Sequence, residues 1–375
     1  MEPLQNIYLA LGSNLGNKFE QLQKAISFIF EEIGTIEKIS SVYKTPALGF
    51  EGDDFLNCVV WLQSRLPSEE ILEKCLAIEK KMGRERTPTE GYASRPIDID
   101  IILIEDQKIA TSKLTVPHPE MQHRKFVLQP MAELQPNLVH PVLQKKMIWL
   151  LAKTEDTSEI TKLSKWLRNP KKDYSFSKYN YIAIEGNIGA GKTSLSQQIS
   201  ADFNAKLILE RFNENPFLPK FYQEPGRYAF PLEMSFLADR YQQLVEDITQ
   251  YDLFTENVVA DYDAYKSMIF AKITLTEEEF TLYKKLFHLM HKELPKPDLY
   301  VYLYQTTERL LENIKKRGRE YEQSIEANYL LKIHEGYLEF IKNQHTGNVK
   351  IMDVSEMDFV NNRKDYLSLL KQLLT

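Results

Sequence analysis

The sequence predicts an α/β protein of two units, an N-terminal α+β sandwich followed by a parallel sheet covered by helices. Three observations carry that expectation. The chain has 375 residues, more than one core usually organises. Two strong strand starts, Ile7-Tyr8-Leu9-Ala10-Leu11 before Gly12 and Tyr181-Ile182-Ala183-Ile184-Glu185 before Gly186, each lead through a glycine turn into a helix. In the second half short strands alternate with long helices, the pattern of a parallel sheet buried on both faces.

Taken in order, apolar spacing in the first half predicts helix 17–33, strands 36–43 and 55–63, helix 68–82, strand 97–104 and helix 123–133. The second half reads as strands 206–209, 257–261, 298–303 and 349–352, with helices near 227–249, 276–292 and 325–345. Between the halves, Arg168-Asn169-Pro170-Lys171-Lys172-Asp173 and the Ser/Tyr/Lys-rich stretch to Asn180 carry turn residues and little apolar periodicity. The expected domains are therefore 1–160 and 179–375, joined by a linker over 161–178, with no internal repeat.

Composition narrows the function classes. With 43% hydrophobic and 27% charged residues, 14 Gly and 17 Pro, the chain is neither disordered nor collagen-like. Its 47 basic against 53 acidic residues, a net charge of −6, argue against nucleic acid or an anionic membrane as the main partner. Cys58 and Cys75 cannot build a disulfide framework or a structural zinc site and suit a reducing compartment. No apolar run nears the roughly 20 residues of a membrane helix. The opening MEPLQN lacks the basic and apolar regions of a secretion signal, so a cytoplasmic location and small-molecule partners are expected.

Chemistry enters at Gly186-Asn187-Ile188-Gly189-Ala190-Gly191-Lys192-Thr193, which fits G-x-x-x-x-G-K-[ST] between a predicted strand and helix. Gly186, Asn187, Gly189 and Gly191 would turn backbone N–H groups toward the phosphates of ATP. Lys192 would reach the β/γ-phosphates, and Thr193 would ligate Mg²⁺. Beyond the loop come Glu210 at a strand end, Pro231-Leu232-Glu233-Met234-Ser235-Phe236-Leu237-Ala238-Asp239-Arg240, Asp261-Tyr262-Asp263 and Lys316-Arg317-Gly318-Arg319-Glu320-Tyr321-Glu322. With these, residues 180–375 resemble the deoxyribonucleoside kinase family, which implies a P-loop kinase fold and association through this domain into a homo-oligomer.

The resemblance further implies roles. Glu210 would take the proton from the nucleoside 5′-hydroxyl, Arg240 would polarise that end, and Arg317, Arg319 and Glu322 would form the lid over the transferring phosphoryl group. Residue 233 would face the nucleobase, and here Glu stands where the family usually has Gln. A protonated Glu233 presents one donor and one acceptor, which suits adenine, whereas an ionised one suits guanine's two donors. Deoxyadenosine is the expected substrate and deoxyguanosine the alternative. Relatives carry an acidic residue, Arg and Ser where this chain has Asp261-Tyr262-Asp263. Asp261 would hold Mg²⁺ through water, and Arg240 would have to cover for the missing arginine. That altered motif also leaves open a nucleotide-sensing module without transfer activity.

In the first half, Arg95-Pro96-Ile97-Asp98-Ile99-Asp100-Ile101-Ile102-Leu103 puts Asp98 and Asp100 on one face of a strand, about 7 Å apart. Such a pair can bracket Mg²⁺ ions on nucleotide phosphates, a device that polymerases and nucleotidyltransferases also use. Gly12-Ser13-Asn14, Thr45-Pro46-Ala47-Leu48-Gly49, Phe55-Leu56-Asn57, Gly83-Arg84-Glu85-Arg86, Val116-Pro117-His118-Pro119 and Arg124-Lys125-Phe126 surround it in order. In this combination residues 6–158 resemble 6-hydroxymethyl-7,8-dihydropterin pyrophosphokinase of folate synthesis. The resemblance implies a ferredoxin-like sandwich and transfer of the terminal diphosphate of ATP to the pterin hydroxymethyl group, leaving AMP. Asn57 and Phe126 would bind the flat pterin, with Thr45, Leu48 and Glu79 beside it and Tyr92 closing over the site. Arg84, Arg95, His118 and Arg124 would neutralise the triphosphate. The whole chain then reads as a fusion of two Mg²⁺- and ATP-dependent enzymes.

Overall fold

The computed structural model describes residues 3–47, 52–84, 94–212, 215–249, 255, 257–292, 294–343 and 347–375, so the expected site residues Leu48 and Tyr92 lie outside the described residues. The chain divides into two compact units, Met1–Tyr174 and Ser175–Thr375.

The first unit runs β1 (Gln5–Ser13), α1 (Lys18–Glu32), β2 (Thr35–Ile39), β3 (Tyr43–Thr45), β4 (Phe55–Ser64), α2 (Ser68–Lys81), β5 (Asp98–Ile104), β6 (Ile109–Ala110), β7 (Thr115–Val116), α3 (Lys125–Leu134), α4 (Met147–Lys153) and β8 (Thr161–Lys162). Among the described residues its main sheet is antiparallel in the order β5-β1-β4-β3-β8, with β2 also paired to β4. Strand alternation sorts the core. Tyr8 and Val59 pack with Val127, Leu128 and Met131 of α3 and Met147 and Leu150 of α4. Ile7, Leu9 and Leu11 point to the other face, where α1 buries Leu22, Ala25, Ile26, Ile29 and Phe30 at helical spacing behind an Asn17 cap.

The expected strand 36–43 is two strands, because Ser40 and Ser41 satisfy their polar groups across the sheet and break the ladder. The Ser40 hydroxyl accepts from Val59 N at 2.9 Å, and the Ser41 hydroxyl donates to Glu133 at 2.7 Å. Much of the stretch 161–178 is tied to the first unit. β8 pairs with β3, Asn169 donates to Ile36 O at 2.9 Å, and Lys171 reaches Glu37 at 2.8 Å.

The second unit runs β9 (Tyr181–Gly186), α5 (Lys192–Phe203), β10 (Lys206–Ile208), α6 (Leu218–Gln223), α7 (Pro225–Thr249), β11 (Val258–Ala260), α8 (Lys266–Thr274), α9 (Glu277–His291), β12 (Leu299–Tyr304), α10 (Thr307–Arg317), α11 (Ala327–Asn343), β13 (Val349–Asp353) and α12 (Arg363–Leu374). Its sheet is parallel in the order β10-β11-β9-β12-β13, and every residue of the central β9 is buried. Because β10, β11 and β9 are neighbours with Ile208, Ala260 and Ala183 in register, the segments leaving their carboxyl ends lie side by side and bring together Glu210, Asp261 and the glycine loop.

Candidate active sites

In the first unit a cleft of about 790 Å³ opens where β1, β4 and β5 meet α3. Sheet register makes its floor, since Gly12 lies opposite both Asn57 and Asp98, and Ala10 lies opposite Asp100. A Cβ on Gly12 would come within 2.8 Å of Asn57 Oδ1, so glycine makes room for the amide. Thr45 accepts from Asn57 Nδ2 at 2.8 Å and fixes the amide's direction. Phe126 and Arg124 stand across the cleft from α3 and its cap, with the guanidinium 5.9 Å from the ring centroid.

The acidic pair is embedded in arginines. Arg95 Nη1 lies 2.8 Å from Asp98 Oδ2, and Arg84 bridges Asp98 and Glu79. Asn14 holds Arg95 in place, its Oδ1 accepting from Arg95 N at 2.7 Å, which gives the Ser13-Asn14 turn a structural purpose. Burial, with the charge of Asp98 beside it, pushes the Asp100 carboxyl up to about 7 although Arg124 opposes this. A site that disfavours its own second negative charge is one that a divalent cation would stabilise. Among the described residues no three His, Cys, Asp or Glu side chains form a ready-made cage. Mg²⁺ held by two carboxylates and substrate phosphates needs none.

Glu79, Arg84 and His118 do not line the cleft among the described residues. Glu79 is buried and accepts from Ile99 N at 2.9 Å and from Arg84, so it fastens α2 to the strand between the two aspartates. His118 Nδ1 accepts from Glu120 N at 3.2 Å, and burial followed by Arg124 lowers its pKa. The imidazole is then neutral with its proton on Nε2, a donor. Asp156 and Ser158 also line the cleft. Asp156 Oδ2 accepts from Lys125 N at 2.7 Å at the start of α3. No sequence motif marks them, because only the return of the chain after α4 brings them to β1 and β4.

In the second unit a cleft of about 780 Å³ runs from the glycine loop to α7. Gly189 and Gly191 have φ of +85° and +88°, and a Cβ on Gly191 would meet the Phe359 ring at 2.7 Å. Lys192 Nζ donates to Gly186 O and Asn187 O, each at 2.9 Å, folding its charge over the loop. Burial and the Lys266 charge push its ammonium down to about 8. The Thr193 hydroxyl donates to Asp261 Oδ2 at 2.5 Å, and Asp261 Oδ1 accepts from Glu210 N at 2.8 Å. A hydroxyl paired with a carboxylate beside a phosphate loop is a donor set that fits Mg²⁺.

Glu210 is doubly paired. Its Oε1 accepts from Arg240 Nε at 2.8 Å and Nη2 at 2.6 Å, and Oε2 from Lys266 Nζ at 2.5 Å. Burial alone would raise this carboxyl, but Lys266 and then Arg240 outweigh it and hold it far below the usual carboxylate range. Tyr262, in the place of the arginine that the family motif carries, is fully buried and donates to Gln243 Oε1 at 3.0 Å. Asp263 Oδ1 accepts from Tyr265 N at 3.0 Å and caps the turn into α8.

At the far wall Glu233 is 2% exposed; its Oε1 accepts from Thr274 Oγ1 at 3.1 Å, while Oε2 meets no hydrogen-bond donor among the described residues. Burial pushes its carboxyl up to about 7 against the opposing charge of Arg240. Glu322 draws the two lid arginines together, pairing with Arg317 and with Arg319 at 3.1 Å, while Arg319 lies 4.0 Å above the Phe212 ring. Glu233, Arg317, Arg319 and Glu322 line the same pocket as Lys192, Thr193, Glu210, Arg240, Asp261 and Lys266, whereas Tyr262 and Asp263 do not.

Comparison with known proteins agrees with both halves. The family described as deoxynucleoside kinase matches residues 182–375, and the family described as 7,8-dihydro-6-hydroxymethylpterin-pyrophosphokinase matches residues 8–136. A deoxyguanosine kinase of Bacillus subtilis is 39% identical over 50% of this chain and 92% of its own. A 2-amino-4-hydroxy-6-hydroxymethyldihydropteridine pyrophosphokinase of Aquifex aeolicus is 41% identical over 38% of this chain and 89% of its own. The chain belongs to both families, joining a pterin pyrophosphokinase to a deoxynucleoside kinase. A solved deoxyadenosine kinase from M. mycoides with bound dATP matches the kinase half with 26% identity and a TM-score of 0.45, over 50% of this chain and 97% of that one. Both halves of the fusion are ATP-using transferases, and no helix among the described residues is long and apolar enough to cross a membrane.

Proposed function

We propose that the first unit transfers the terminal diphosphate of ATP to 6-hydroxymethyl-7,8-dihydropterin and that the second phosphorylates the 5′-hydroxyl of a purine deoxynucleoside, deoxyguanosine in preference to deoxyadenosine. One observation carries the kinase reading: Lys192, Thr193, Glu210, Arg240, the lid arginines and Glu233 all converge on one cleft. That convergence favours a transferring enzyme over a nucleotide sensor. In the first unit Asp98 and Asp100 would hold Mg²⁺, Asn57 and Phe126 the pterin, and Arg84, Arg95, Arg124 and His118 the phosphates. In the second, Thr193 and Asp261 would hold Mg²⁺. Mg²⁺ held there would supply positive charge to the phosphate oxygens, and Glu210 would take the 5′-hydroxyl proton. The pterin domain would comprise residues 1–160, with the following stretch to Tyr174 packed against it. A cytoplasmic setting suits the free, buried thiols of Cys58 and Cys75.

The shift toward guanine rests on the unpartnered Glu233 Oε2 and is supported by the activity named for the Bacillus subtilis relative. The groups around this carboxyl are Arg240 on its own helix, Glu210, Lys266 and Thr274 of α8, Tyr283 of α9, Tyr222 of α6 and Tyr329 of α11. Burial raises the three tyrosines, so they stay neutral between pH 6 and 8. The Glu233 carboxyl itself is pushed to about 7. Above that value it accepts from guanine's N1–H and N2–H; below it, one donor and one acceptor match adenine. The ratio of kcat/KM for deoxyguanosine to that for deoxyadenosine is expected to rise about tenfold between pH 6 and 8, one charge-assisted hydrogen bond's worth. Glu233→Gln should flatten the rise and lower the ratio. A pH-independent ratio favouring deoxyadenosine in the wild type would return the assignment to adenine.

We further propose that the protein self-associates through its kinase unit. Leu282 and Leu289 of α9 and Leu331 and Leu338 of α11 are 50%, 69%, 47% and 39% exposed. Each pair recurs two helical turns apart, and both helices pack on α8. Leu289→Glu with Leu338→Glu is expected to halve the sedimenting mass. An unchanged mass in the double variant rejects this surface.

A further inference from the structure

The cation missing from the Asp261-Tyr262-Asp263 motif is present, supplied from another position. Tyr262 turns into the core, but Lys266, the first residue of α8 and about one turn further along, lines the cleft together with Glu210 and the glycine loop. Its side chain is 8% exposed, and Nζ lies 2.5 Å from Glu210 Oε2.

The two cations on Glu210 differ in their freedom. Arg240 donates through Nε and Nη2 to Glu210 and through Nη1 to Ser267 Oγ at 2.7 Å, with the Phe236 ring 4.7 Å from its guanidinium carbon. Three anchors and a planar fork fix it where it is. Lys266 has a flexible stem, its Nζ lies 5.7 Å from the Phe270 ring centroid, and of its three protons the contact to Glu210 takes one. It lines the same cleft as Ile188, Gly189 and Lys192 of the phosphate loop. An ammonium with two protons left over, in a cleft shared by the carboxylate and the phosphate cradle, is placed to meet the negative charge that builds during transfer.

We propose that Lys266 is a catalytic residue of the kinase unit, donating to the attacking 5′-oxygen and to the transferring phosphoryl oxygens in place of the motif arginine. In the step, the 5′-oxygen bonds to the γ-phosphorus and its proton passes to Glu210. The bond from the γ-phosphorus to the β–γ bridging oxygen breaks, and ADP leaves with that electron pair. Lys266 releases Glu210 as the hydroxyl arrives, so the carboxylate becomes free to accept the proton while the ammonium offsets charge on the phosphoryl group.

This inference rests on the reading of Glu210 as the base, and the two are tested separately by comparing Lys266→Met, Lys266→Arg and Glu210→Gln in the full chain. Equilibrium MgATP binding, thermal melting and nucleoside phosphorylation are the measurements. Lys266→Met is expected to lower kcat by about 10²–10³-fold while MgATP affinity stays within about threefold, and Lys266→Arg should recover at least about tenfold of that loss. Wild-type kcat in Lys266→Met beside an inactive Glu210→Gln would overturn the role of Lys266 and leave the base standing. Wild-type kcat in both would remove the reading of Glu210 itself. A Lys266→Met protein that melts early and loses MgATP, with no recovery in Lys266→Arg, would make Lys266 structural and also overturn the inference.

Discussion

Asp98→Asn and Asp100→Asn are each expected to cut diphosphate transfer to the pterin by about 10³-fold and to leave nucleoside phosphorylation at the wild-type rate. The expected size comes from geometry. Both carboxylates stand on one strand, and their neighbours on β1 are Gly12 and Ala10, whose small side groups leave the space above them open to a ligand. Asparagine keeps the shape and hydrogen-bonding reach but removes the charge on which a hard cation depends. The variants should also differ in a way that separates cation binding from folding. Asp98 pairs with Arg84 and Arg95, so Asp98→Asn removes one anion from both guanidinium groups, although Arg84 keeps Glu79, and is expected to lower the melting temperature. Asp100 carries a charge that its own site resists, so Asp100→Asn should melt no earlier than the wild type without Mg²⁺. Added Mg²⁺ and nucleotide should then stabilise the wild type and not Asp100→Asn. Near-wild-type pterin turnover in both variants would sink the assignment of the metal to this pair.

What the sequence discloses depends on how local each device is. The glycine loop is readable because its chemistry resides in eight consecutive residues whose backbone must turn one way; Gly189 and Gly191 do hold positive φ. Asp98 and Asp100 are readable because strand alternation alone puts them on one face. Glu79 shows the limit. The family resemblance puts it beside the pterin, but whether it turns to substrate or to the Ile99 amide depends on a strand 20 residues away. Lys266 is hidden for a similar reason. Read along the chain, Tyr262 looks like a lost cation, and only the contact between the first residue of α8 and the segment after β10 returns a charge to Glu210.

Helices divide in the same way. Those with a clear apolar stripe and a single buried face, such as α1 and α11, fall where spacing places them. α8 escapes a periodicity argument because Ile269 and Ala271, which do not share a stripe, are both buried, together with the polar Lys266 and Ser267. α10 escapes it because it is mostly charged, with Leu310 and Ile314 as its buried residues and Thr306 and Gly318 marking its ends. Ser40 and Ser41 read as part of one strand because no pattern in the sequence announces that Val59 and Glu133 will compete for their hydroxyls.

The division of labour in the kinase unit gives the second large effect. Glu210→Gln is expected to keep MgATP affinity and lose nucleoside phosphorylation by about 10²–10⁴-fold, the range of a positioned general base. Lys192→Ala should instead weaken MgATP itself, since the ammonium that folds over Gly186 O and Asn187 O is the charge poised for the β/γ-phosphates. The two variants should also part company in stability. Glutamine leaves Arg240 and Lys266 facing a neutral group in a buried site, where losing one partner of an ion pair costs about 3 kcal/mol. The Glu210→Gln unit should therefore melt earlier, and phosphate or MgATP, by supplying an anion to the stranded cations, should restore much of the difference. Lys192→Ala removes a cation that burial already disfavours, so its melting temperature should change little while the stabilisation by MgATP disappears. Pterin pyrophosphorylation by the same preparations should match wild type in both. Full kcat in Glu210→Gln with both purine deoxynucleosides would mean that the proton leaves by another route and that the triad of Glu210, Arg240 and Lys266 serves only to hold the cleft together.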